Sequence, residues 1–150
     1  MYNLLVIICF CIAAAAIDLK TYRIPDALLI VFAVVIIFLD RNLPLVHLVL
    51  KFSAAILSFS LYFAVWYFSK GIGFGDVKYA FVLGFALGIE NTAYSFIITA
   101  FLCLFIYLTG IVVFRWPKNL KIPFAPFISA GAIMSIYHNF INYKFTGGII

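Results

Sequence analysis

Apolar residues fill this chain in blocks of ~15–25, broken by short polar stretches, and that pattern leaves few folds open. A block of that length crosses the hydrocarbon layer as a helix, or nearly so. Within lipid only helices and closed barrels satisfy their own backbone groups. Soluble domains carry about a quarter charged residues. Here 10% of 150 residues are charged, 67% are hydrophobic, and the mean hydropathy is +1.23. The expectation is an all-α, polytopic membrane protein with about six transmembrane helices, forming a single integral-membrane domain over residues 1–150. Its net charge of +5 does not point to a nucleic-acid partner. Basic residues beside membrane spans set orientation and meet anionic headgroups, so membrane lipids are the expected surroundings.

The blocks predict helices over about Tyr2–Ile17, Asp26–Leu39, Leu43–Phe68, Val77–Ile89, Thr92–Phe114 and Phe124–Phe140. The second and fourth are short for the hydrocarbon core, which calls for thinned bilayer, shelter from neighbours or extension beyond the apolar run. Gly84 and Gly88, four apart, offer the fourth helix a small-residue packing face. Seven of the ten basic residues, Lys20, Arg23, Lys70, Lys78, Arg115, Lys118 and Lys121, fall after helices one, three and five. That side should be cytoplasmic, and six crossings then put both termini on the other side. The first block, ending in four alanines, lacks the basic n-region of a secretory signal and reads as a retained span.

The polar residues are few enough to weigh singly. Cys9, Cys11 and Cys103 have no CxxC spacing and read as small apolar residues, while His47 and His138 lie toward the non-cytoplasmic face. No His/Cys ligand cluster is legible, so neither a metal nor a cofactor is expected. Of the five acidic residues, Asp40 and Glu90 read as solvated turn residues on the far side. Asp18 ends the first block, and Asp76 closes the glycine-rich stretch Gly71-Ile72-Gly73-Phe74-Gly75-Asp76-Val77-Lys78, whose glycines are expected to make a bend other residues avoid.

The chain crosses the membrane twice between Asp18 and Asp76, so both carboxylates return to the cytoplasmic boundary. Carboxylates there are costly and tend to be functional. Two that approach each other suit aspartyl proteolysis. One, ionised, takes a proton from water, while the other, protonated, polarises the scissile carbonyl, because two like charges at close range do not both ionise. The helix ends add an asymmetry. Asp18 lies at the C-terminal end of helix one, where the dipole disfavours negative charge, and Asp76 at the N-terminal end of helix four, where it is favoured.

Asp18 with Ile24-Pro25, then Gly73-Phe74-Gly75-Asp76-Val77-Lys78, then Ile122-Pro123-Phe124-Ala125-Pro126-Phe127, resembles the type IV prepilin peptidase family, membrane aspartyl proteases of the GxGD class. The resemblance spans about Ala14 to Gly131, in order. It implies that Asp18 and Asp76 are the catalytic pair, that no cofactor is used, and that the partners are prepilins or pilin-like precursors. Their short leader would be cut at the cytoplasmic face of the bacterial inner membrane, usually after glycine and just before an apolar helix. Larger members add a methyltransferase region with paired CxxC cysteines. This chain shows none, so methylation is not expected, and the layout is similar to the short peptidases of Flp/Tad-type pilus systems.

The other motif residues keep two readings each. Gly73 and Gly75 serve a bend or meet an extended substrate directly. Lys78 tunes the aspartates or reaches toward headgroups. Asp26, where many relatives carry Asn, holds a basic leader or caps helix two. Pro25 opens helix two, and Pro123 and Pro126 open helix six or wall the cleft. The competing function is a small transport or channel subunit in which Asp18 and Asp76 bind protons or cations. It leaves the Ile-Pro and PFAPF elements unexplained. An intramembrane protease of the presenilin type would carry a PAL motif, which this sequence lacks. Neither the particular precursor nor the oligomeric state is legible.

Overall fold

Three of the apolar blocks form helices long enough to cross a membrane unaided: 18 residues over Leu4–Thr21, 25 over Leu45–Ser69 and 24 over Ile89–Val112. In the computed structural model, which describes residues 2–69, 71–113 and 122–145, the described residues form six helices and no strand. They are α1 (Tyr2–Thr21), α2 (Asp26–Leu39), α3 (Leu45–Ser69), α4 (Phe74–Leu87), α5 (Ile89–Val112) and α6 (Ala125–Phe145). The chain is the all-helical, polytopic membrane protein its composition requires. Its outer faces are apolar, with Leu45, Phe68 and Val112 75–83% exposed, as lipid-facing side chains are. Lys70, Arg115, Lys118 and Lys121, four of the orientation charges, lie outside the described residues.

Short α4 is accommodated by shelter. It packs against α2, α3, α5 and α6, and buries Val77, Tyr79, Ala80, Leu83, Gly84, Phe85 and Ala86. Phe10 of α1 stacks on Phe32 of α2 at 3.6 Å between ring centroids and touches Tyr79 of α4 at 5.6 Å. Lipid gives no hydrophobic drive for helices to associate, so hydrogen bonds and close approach hold the bundle. The Tyr79 and Ser129 hydroxyls share a 2.7 Å hydrogen bond from α4 to α6, and Ser58 Oγ donates to the Ala80 carbonyl at 2.8 Å from α3 to α4. Thr99 Oγ1 donates to the Phe127 carbonyl at 3.3 Å from α5 to α6.

Several sequence expectations change here. α1 runs past the apolar block to Thr21, so Asp18 sits inside its last turn. α4 starts at Phe74, which places Gly75 and Asp76 in its first turn. Asp40 is not a solvated turn residue. It is 1% exposed and ion-paired with Lys51 of α3, because the α2–α3 turn folds back over the start of α3. Gly84 does make the close helix contact, since a Cβ there would lie 2.7 Å from Ser58 Cβ and 2.9 Å from the Ala54 carbonyl oxygen.

Gly88 does something else: with φ 77° and ψ 174° it ends α4 and turns the chain directly into α5. That conformation is open essentially to glycine alone. Gly88→Ala is therefore expected to destabilise the bundle by about 1–3 kcal/mol. It should appear as a lowered unfolding midpoint in detergent micelles, and an unchanged midpoint would count against this account.

Candidate active site

The bend before α4 is ordinary backbone. Gly71, Gly73 and Gly75 all lack positive φ, and Gly73 is an extended N-cap at φ −77°, ψ 152°, which any residue adopts. The expectation that these glycines supply a special bend is overturned. A Cβ on Gly75 would meet nothing within 4 Å, and one on Gly73 would touch Asp76 Oδ2 at 3.4 Å. What the two glycines leave is bare backbone beside a carboxylate.

Asp76 stands three residues into α4 and turns back, so that its Oδ2 accepts the Gly73 N–H at 3.0 Å, one half of a capping box. Asp18, in the last turn of α1, accepts the N–H of Ala125, the first residue of α6, at 3.0 Å. A helix N-terminus therefore faces each carboxylate, its own for Asp76 and that of α6 for Asp18. The helix-end asymmetry expected from sequence is levelled by a helix 107 positions away in the chain. Both carboxylates are nearly buried, Asp18 at 4% exposure and Asp76 at 8%.

Two adjoining cavities share Asp18, Tyr22, Gly73 and Asp76 as walls. One, of about 310 Å³, extends to Ile122, Pro123 and Phe124 at the entry to α6. The other, of about 360 Å³, extends to Arg23, Ile24, Phe74 and Gly75. The carboxylate pair thus stands where two half-sites meet, with room for an extended chain on either side. Among the described residues no group of three His, Cys, Asp or Glu side chains gathers as a metal site.

Residues 5–108, which hold both aspartates and the GxGD stretch, match the type IV leader peptidase family. The chain belongs to that family. The PFAPF element lies beyond the matched stretch of this family member. A relative, the prepilin leader peptidase/N-methyltransferase of Bacillus subtilis (strain 168), is 34% identical over 65 residues, covering 43% of this chain and 26% of the relative. The match thus spans about a quarter of that relative's length. No solved structure matches.

The remaining motif residues of this peptidase-family chain divide into two groups. Gly73, Gly75 and Pro123 border the cavities, whereas Pro25 is the N-cap of α2 and Pro126 lies in the first turn of α6, neither lining them. Lys78 and Asp26 pair with each other instead, Nζ standing 2.9 Å from both carboxylate oxygens. Since Pro25 is the N-cap, Asp26 does not cap α2. The pair sits at a separate apolar groove of about 550 Å³ between α2, α3 and α4, with Leu29, Phe59 and Phe81 among its walls. Being largely exposed, this ion pair contributes at most about 1 kcal/mol. Sequence reasoning missed Tyr22 and the Ala125 N–H, because neither a tyrosine after a helix nor a backbone donor carries a sequence signal.

Proposed function

We propose that this chain is a membrane aspartyl endopeptidase that removes the short leader from prepilin or pilin-like precursors at the cytoplasmic face of the bacterial inner membrane. The observation that carries the reading is the meeting of Asp18 and Asp76, from helices separated by α2 and α3, at the walls of the same two cavities. Six crossings with the basic residues gathered on one side put that meeting point at the cytoplasmic boundary, with both termini opposite. A precursor keeps its apolar helix in lipid while its leader reaches the carboxylates.

The reaction then follows from two acids sharing one site. The ionised carboxylate takes a proton from a water molecule, and the water oxygen attacks the scissile carbonyl carbon. The protonated carboxylate gives its proton to the carbonyl oxygen, forming a tetrahedral gem-diol. Collapse returns a hydroxyl proton to one carboxylate, the C–N bond breaks, and the leaving nitrogen takes the other proton. The backbone donors at Gly73 and Ala125 hold each carboxylate in place through the cycle.

Co-expression of the wild-type chain with prepilin-like precursors tests this directly. The expected product is a mature chain whose N-terminal sequence begins immediately before its apolar helix. No cleavage of any such precursor would remove the reading. Gly75 gives a finer test, since its added Cβ meets only open space. Gly75→Ala should leave the fold intact, or stabilise α4 by ~0.5–1 kcal/mol. It should still slow cleavage, because substrate backbone lies where the methyl group would project. A Gly75→Ala chain that cuts at the wild-type rate would return Gly75 to the role of a bystander.

A further inference from the structure

Tyr22 has a positive φ, 52°, and no other non-glycine residue among those described does. It follows the last residue of α1, and its N–H closes the helix on the Asp18 carbonyl at 2.8 Å. Glycine is the usual occupant of such a left-handed cap, and a bulky aromatic residue there is an outlier. The neighbouring Thr21 Oγ1 pins the turn by donating to the Ile17 and Arg23 carbonyls, each at 2.9 Å. The fold therefore needs the backbone conformation at position 22 but not the ring. The ring leaves the residue 57% exposed, and its hydroxyl makes no hydrogen bond among the described residues. Strain of this kind gathers at functional sites.

Tyr22 is also one of the four residues that wall both cavities, together with the two carboxylates and Gly73. Gly73 presents bare backbone, so Tyr22 is the one bulky side chain common to both half-sites. The geometry points to Tyr22 as a specificity-determining residue. Its phenol closes the space beside the Asp18–Asp76 pair to all but small side chains, glycine or alanine, on the substrate residue whose carbonyl is attacked. This inference rests on the peptidase reading above. It concerns the size of the ring and not its hydroxyl, which Tyr22→Phe separates.

The test is a precursor whose cut position has been established with the wild-type chain, remade with Gly, Ala, Val or Leu before the cut. Cleavage rates are taken as ratios to the Gly form. The wild-type chain should cut the Val and Leu forms ~100-fold more slowly than the Gly form, the scale on which a tight pocket excludes added carbons. Tyr22→Gly should raise the Val/Gly ratio at least ~10-fold, and Tyr22→Phe should leave it within ~3-fold. Tyr22→Asn, whose short side chain tolerates the left-handed region, carries the same comparison if the glycine variant does not accumulate.

A ratio unmoved by the small variants, or rates lowered in equal proportion for all four substrates, would overturn the proposal. Equal cutting of all four forms by the wild-type chain would also overturn it while leaving the peptidase reading intact. If the wild-type chain cuts none, it is the peptidase reading that fails.

Discussion

Asp18→Asn and Asp76→Asn should each lower leader removal by ~10³-fold or more, within the range that a positioned acid or base contributes, while the chain accumulates in the membrane as the wild type does. The prediction is clean because the substitution changes so little else. The Asn side-chain oxygen still accepts the Gly73 N–H at position 76, or the Ala125 N–H at position 18, so the entries to α4 and α6 keep their hydrogen bonds. What is lost is the ionisable proton, and with it both the general base and the general acid. The measurement is the shift of a co-expressed precursor to mature size on a gel, beside an immunoblot of the peptidase. If either Asn variant still cuts, the two-aspartate mechanism is wrong. If the wild type cuts nothing yet carries protons or cations into vesicles through these residues, the transport alternative takes its place.

Gly131→Leu is expected to destabilise the bundle by about 3 kcal/mol, at the upper end for overpacking, and to lower cleavage with it. A Cβ on Gly131 would lie 2.6 Å from the Ser95 carbonyl oxygen and 3.2 Å from the Thr99 nitrogen, and closer still to Thr99 Oγ1. Two of these three neighbours are α5 backbone or lie against it, so α5 and α6 must part, and even Gly131→Ala should cost about 1 kcal/mol or more. The effect reaches the site through α6 itself. Its first residue, Ala125, holds Asp18, and the Thr99–Phe127 bond that ties this end of α6 to α5 is broken by the same movement. Thermal unfolding in detergent, together with the cleavage assay, should show both losses. Gly131→Leu unfolding at the wild-type temperature would show that the crossing is looser than drawn.

Much of this protein is determined by its sequence alone. Apolar blocks in a chain with 10% charged residues can only be helices in lipid, because nothing else satisfies the backbone there. Two acids on either side of two crossings must then return to one face, and so Asp18 and Asp76 stood out before any fold was known. Residues whose role depends on a distant partner were not legible. Asp40 reads as a polar turn residue until Lys51 is brought over it, and Lys78 reads as a neighbour of Asp76 until the turn of α4 aims it at Asp26. The glycines of the GxGD stretch suggest a backbone bend, yet the left-handed conformations occur at Gly88 and Tyr22. Only the tertiary structure decided what surrounds the two carboxylates. A helix N-terminus is a field made by several aligned peptide groups, and the one facing Asp18 belongs to α6, which reaches it only when the whole bundle is assembled.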